Sequence, residues 1–216
     1  MKGLLSALTR QNNEKMKKGG VKMKKWLKRK EGFTLVELAI VLVIIGILLA
    51  AILKGQAMIK QAKIKRIKAD VDSIVAAVYS YQDKYGYLPG DDPNDHSTDL
   101  NATGCRGGNA DGIFSNIAED TCAWQEIIGA GFVAGDPTVH NESKVAKTHP
   151  FGGRYLFRYG TRYGKSGNYI FIDNLPVDVA KSLDEKYDDG AYNTGDIRAN
   201  SNYTGTGVRD MYWYVF

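Results

Sequence analysis

From Leu38 to Leu53 the chain runs for sixteen residues, LAIVLVIIGILLAAIL, without a polar side chain. Counted from Phe33, the apolar stretch holds one charge, Glu37. At about 1.5 Å per residue the stretch makes a helix of roughly 31 Å, enough to cross the hydrocarbon core of a bilayer. A core helix of a soluble domain is the rival reading, but such helices are seldom so long and uninterrupted. The segment therefore predicts membrane insertion. A cleavable secretory signal shares the basic start and the greasy run, with Ala50-Ala51 as its possible cleavage site. It would normally have a shorter apolar core, and the sequence just before the run separates the two readings further.

The formal charge of +5 averages over three unlike regions. Residues 1–32 hold 11 Lys/Arg against 2 Asp/Glu, residues 33–68 hold 6 against 1, and residues 69–216 hold 12 against 21, a balance of −9. The basic charge thus flanks the apolar run, and the bulk of the protein is acidic. Nucleic-acid binding leans on cationic contacts, so the acidic bulk opposes it. Lys24, Lys25, Lys28, Arg29 and Lys30 on the N-terminal side place residues 1–32 in the cytoplasm by the positive-inside rule. Lys54, Lys60, Lys63, Lys65, Arg66 and Lys68 on the far side weaken that orientation without reversing it, because a short tail precedes the helix and a large domain follows it. At 44% hydrophobic and 25% charged, the chain as a whole has the composition of a globular protein.

Across the junction the sequence reads Lys30-Glu31-Gly32-Phe33-Thr34-Leu35-Val36-Glu37. An acid one turn inside a membrane helix costs a few kcal/mol unless it finds a partner. Cleavage after Gly32 would supply one, the new α-amino group of Phe33, and pairing in a low dielectric would offset the desolvation. At these residues the chain resembles the type IV pilin and type II secretion pseudopilin superfamily. The resemblance implies cleavage by prepilin peptidase between Gly32 and Phe33, N-methylation of Phe33, and a role for Glu37 in meeting the next subunit's N-terminus during assembly. A leader of 32 residues is long for a mature chain that begins with phenylalanine, and Met23 offers a shorter start. In either case residues 1–32 belong outside the fold.

Beyond the apolar run, Ile64, Ile67, Val71, Ile74, Val78, Tyr81 and Tyr85 recur at intervals of three and four, the stripe of a helix with one buried face. Lys63, Lys65, Lys68, Asp70, Asp72, Gln82 and Asp83 largely occupy other faces. No proline falls between Phe33 and Gly86. A single helix of about 53 residues, some 80 Å long, is expected, transmembrane over 33–54 and amphipathic over 55–86. Gly46 and Gly55 are its expected weak points, at up to about 1 kcal/mol each relative to alanine. Tyr79, Tyr81, Tyr85 and Tyr87 are expected to pack in the core.

Gly86 and Pro89 end the helix and open a head over 87–216. Residues 90–112 form a long polar loop. Ala123–Phe132 reads as a short helix with Trp124, Ile127 and Ile128 inward. Arg154–Tyr159 and Asn168–Ile172 read as two strands joined by a glycine-containing turn. Pro176 opens a helix reaching about Lys186, and Gly195–Ala199 and Met211–Phe216 are further strands. The fold class is α+β, a long N-terminal helix packed on a small antiparallel sheet.

Cys105 and Cys122 lie in the part expected to cross the membrane, where oxidation is permitted, and a disulfide between them is favoured over two free thiols. Asp91, Asp92, Asp95, Asp99, Asn109 and Asp111, and separately Asp188 and Asp189, are oxygen ligands of the kind calcium takes, and some pseudopilins bind calcium in the head. The spacing does not match an EF-hand loop, and Asp and Asn are ordinary turn formers. His96, His140 and His149 have no ligand pattern and are expected on the surface. Gly164-Lys165-Ser166 has the ending of a phosphate loop, but its upstream glycine, Gly160, is one position too close. No catalytic motif emerges.

The resemblance implies a non-catalytic prepilin, the subunit of a type IV pilus or a secretion pseudopilus. Its expected partners are other pilin subunits, prepilin peptidase/methyltransferase, an inner-membrane assembly platform with its ATPase, and membrane lipid. A minor pilin with an adhesive or DNA-uptake role, or an anchored exoplasmic domain of other function, is the alternative.

Overall fold

The computed structural model describes residues 32–216, apart from Asp95 and Asn116. The basic leader up to residue 31, including Met23, lies outside the described residues. The chain divides into two compact units, one ending at Ala50 and one beginning at Ala51.

Helix α1 spans Leu35–Tyr85, 51 residues, and runs through Gly46 and Gly55 without a break. Within the first unit its side chains are exposed all round, Leu42 and Ile47 at 65% and 66% among them. Such a surface is stable only in lipid or against other apolar helices. The helix is long and apolar enough to cross a membrane.

In the second unit α1 becomes amphipathic and covers one face of a sheet. Ile64, Ile67, Val71, Ile74, Val78 and Tyr81 are buried, as their spacing predicts. Asp70, expected on another face, is buried with them. It accepts the Tyr155 hydroxyl at 3.2 Å and pairs with Lys147 at 2.9 Å, so its burial is compensated from the sheet and from the segment before it. The four tyrosines divide. Tyr81 is buried and Tyr85 half-buried, whereas Tyr79, off the stripe, and Tyr87, past the end of the helix, are exposed.

The sheet is antiparallel in the order β1-β2-β4-β3, with β1 Tyr155–Arg162, β2 Lys165–Pro176, β3 Ile197–Ala199 and β4 Val208–Tyr214. Register sets one face inward: Phe157 opposes Ile170, which opposes Trp213, which opposes Ile197. Helix α2, Ile117–Gly129, starts six residues before the expected position and closes the core with Trp124 and Ile127. The Trp124 ring lies 5.0 Å from that of Phe157. A one-turn helix α3, Glu142–Val145, had no periodic signal to announce it. Helix α4, Val177–Tyr187, starts directly after Pro176, as the sequence indicates. The result is an α+β fold: one long helix and a small antiparallel sheet.

Candidate assembly site

Thr34 precedes the first turn of α1 and donates its backbone N–H to Glu37 Oε2 at 2.7 Å. Its hydroxyl reaches the same oxygen at 2.9 Å, and the Glu37 N–H returns to Thr34 Oγ1 at 3.2 Å. This reciprocal pair is a capping box, with the N-cap hydroxyl on the third helical N–H and the third side chain on the N-cap N–H. The carboxylate also lies at the positive end of the helix dipole. Glu37 therefore has partners before any cleavage, which the sequence reading did not foresee, although Thr-x-x-Glu before an apolar run is a legible signal. A Phe33 amine would arise one residue from the nitrogen that Glu37 already holds.

Gly32 and Phe33 lie just before the helix, outside regular structure, and both are exposed, Phe33 at 83%. A Cβ at Gly32 would meet nothing within 4 Å. The fold of the described chain therefore does not require glycine there.

In the head, Cys105 and Cys122 form a disulfide across 17 positions and tie the long loop to α2. Both sulfurs are committed to that bond, so their proximity to His140 does not make a thiolate metal site. Asp91 accepts the N–H groups of Asp111 at 3.2 Å and Gly112 at 2.7 Å. Asp92, fully buried, accepts the Tyr81 hydroxyl at 3.2 Å, lies 3.0 Å from His96 Nε2 and takes Asn94. Asp111 bonds Asn109 and Ile113. Among the described residues these three do not gather around a common point, whereas Asp188 and Asp189 do so with Asp184. Each of that trio is turned to donors of its own: Asp184 to Gly190 and Tyr203, Asp188 to Ile197, and Asp189 to Ala191 and Thr194. The acids hold loops, as turn-forming residues do.

Two histidines expected on the surface are buried. His96 lies between Asp92 and Asp99, and hydrogen bonds to both outweigh the downward pull of burial and raise its pKa. His149 is 2.8 Å from the Asp173 carbonyl, and burial lowers its pKa. His140 is exposed, as expected. Glu126, also buried, accepts the Gly90 N–H at 2.7 Å, and burial pushes its carboxyl up to about 7. Glu126 thereby pins the loop after α1 to α2, and His96 ties that loop to itself through Asp92 and Asp99. Gly164-Lys165-Ser166 sits at the β1–β2 hairpin, not at a strand-to-helix phosphate loop.

The described chain thus combines a membrane-capable helix opened by a capped acid with an α+β head. Residues 27–53 match the family model described as the prokaryotic N-terminal methylation motif, the prepilin signature of type IV pilins and pseudopilins. That signature marks structural subunits rather than an enzyme family, and it fits anchoring in the inner membrane. No curated protein and no solved structure matches the chain.

Proposed function

We propose that the chain is a filament subunit of a bacterial type IV pilus or type II secretion pseudopilus. Prepilin peptidase removes the leader between Gly32 and Phe33 on the cytoplasmic face and methylates the Phe33 amine. The assembly platform and its ATPase then move the helix from lipid into a bundle of like helices, with the head on the outer side of the membrane. Glu37 sets register at entry, because an unpaired carboxylate among apolar helices is costly.

The observation that carries this reading is the match at 27–53 on an exposed Gly32-Phe33 junction directly before a capped helix whose first half is apolar apart from Glu37. The direct test is the N-terminus of the protein sheared from cells or recovered from membranes of its host. N-methylated Phe33 is expected as the first residue. A chain that retains its basic leader, or starts elsewhere, defeats the proposal and favours an anchored domain of another kind.

A further inference from the structure

The face of the sheet turned away from α1 carries aromatic and basic side chains. Register places Tyr169 and Phe171 of β2, Tyr212 and Tyr214 of β4, and Arg198 of β3 on it, with Arg162 at the end of β1. The Tyr169 ring lies 5.3 Å from that of Tyr212 and 5.2 Å from that of Tyr214. The Arg162 guanidinium stands 4.5 Å over the Tyr212 ring. Arg198 is buried, and its guanidinium donates to backbone carbonyls, those of Gly195 at 3.0 Å, Arg162, and Tyr163 at 3.0 Å. Neither arginine pairs with a carboxylate among the described residues. The nearby acids are engaged elsewhere: Asp196 with Lys165, and Asp210 with the Asn174 N–H at 3.1 Å and the Asn200 amide at 3.3 Å. The guanidinium groups of Arg162 and Arg198 are thus left without a direct carboxylate partner in a head that is acidic overall.

A pocket of about 320 Å³ opens there, lined by Thr161, Arg162, Tyr163, Asn200 and Tyr212. Tyr163 is the first residue of the two-residue hairpin turn, with φ +49°, followed by Gly164 at φ +83°. A turn with both central residues left-handed calls for Asn-Gly, and a tyrosine in that conformation is strained. Its ring is half-exposed, edge-on to Tyr192 at 5.5 Å, with its hydroxyl 3.4 Å from the Asn200 carbonyl. The turn has no need of a ring, and strain retained on a surface points to a use for the side chain that carries it.

We propose that this pocket binds a carboxylated sugar, its ring face against Tyr163, its carboxylate on the planar fork of Arg162, and its hydroxyls on Thr161 and Asn200. An arginine that touches the Tyr169 hydroxyl but is held by no carboxylate, backed by an aromatic ring, suits bidentate carboxylate recognition, and a tyrosine face suits the apolar side of a pyranose. The pocket is at the small end of ligand sites, about 300–1,000 Å³, and so accepts a single ring. The site lies wholly within residues 161–212 and does not depend on the filament reading.

The test is ligand-observed saturation-transfer NMR on the full chain in detergent, with glucuronate and N-acetylneuraminate as probes and glucose and acetate as controls. At least one acidic sugar is expected to bind about tenfold or more tightly than either control. Arg162→Gln is expected to weaken that binding at least about tenfold, the scale of a lost charge-assisted contact. Tyr163→Asn installs the residue that the turn prefers, so the unfolding midpoint should hold or rise while binding is lost. A purely structural tyrosine would show the reverse. Acetate binding as well as the sugars, glucose binding equally, neither acidic sugar binding, or full binding by Tyr163→Asn would each overturn the proposal.

Discussion

Replacing Glu37 by glutamine keeps a side-chain carbonyl at the third helical position and removes the charge. Glutamine serves in a capping box as glutamate does, so the helix start should survive. If the carboxylate pairs with the Phe33 amine during assembly, Glu37→Gln should be cleaved normally yet incorporate poorly into filaments, as seen by shearing and immunoblot. Wild-type incorporation of that variant would leave Glu37 as a cap and nothing more. Tyr163 gives a second separation at this scale: Tyr163→Asn should relieve about 1 kcal/mol of backbone strain. Glu126 supplies a pH dependence. Its folded pKa, near 7, lies above the ordinary glutamate value, so its contribution is fully present below about pH 4.5 and is lost as pH rises towards 7. His96, also raised, acts in the same direction. The unfolding free energy of the head should therefore fall across that window by an amount on the order of 3 kcal/mol from Glu126, and Glu126→Gln should flatten the fall. A urea-denaturation series from pH 4.5 to 7.5 that shows equal slopes for the two proteins would contradict this assignment. The sequence showed none of these environments, because what faces His96 and Glu126 comes from α1, the loop after it and α2 together.

At the scale of elements, the disulfide and the hairpin invite comparison. The bond between Cys105 and Cys122 closes a loop of 17 positions in a segment with little regular structure. Loop-closure entropy of that length contributes about 3 kcal/mol, so the double variant Cys105→Ser/Cys122→Ser should lose roughly that much in chemical denaturation. A loss under about 1 kcal/mol would mean that hydrogen bonds through Asp91 and Asp92 already order the loop in the unbridged chain. The hairpin and its glycine-containing turn at Gly164 were legible, but the ends of its strands were not. Sequence reading ended the first strand at Tyr159, where Gly160 follows, whereas the pairing continues to Arg162↔Lys165. Gly160 and Gly167 face each other across the ladder, and the Tyr214 hydroxyl settles 3.3 Å from the Gly160 carbonyl. The glycines there leave space beneath aromatic rings, and the turn falls three residues later. Helix α2 likewise starts earlier than its apolar pattern, with Ser115 on the Glu119 carboxylate just before and within its first turn.

For the whole molecule, the unit beginning at Ala51 has its own buried core, from Ile64 and Ile67 of α1 through Trp124 to Ile170 and Trp213. A fragment starting at residue 55 should express as a soluble monomer with a single cooperative thermal transition, while the full chain should need detergent. An aggregated or molten fragment would show that the greasy half of α1 contributes to the folding of the head. The helix, its apolar first half, its amphipathic second half and the methylation motif were all determined by the sequence alone. Each is written in consecutive residues or in a fixed period along one element, and lipid or a flat sheet reads such a pattern without further information. The tertiary structure alone decided that Asp70, Asp92, His96 and His149 would be buried, and that Arg162, Tyr163 and Asn200 would meet at one pocket. Burial of a polar group depends on partners distant in sequence, and strands β1, β3 and β4 come together only through a register that no single segment contains.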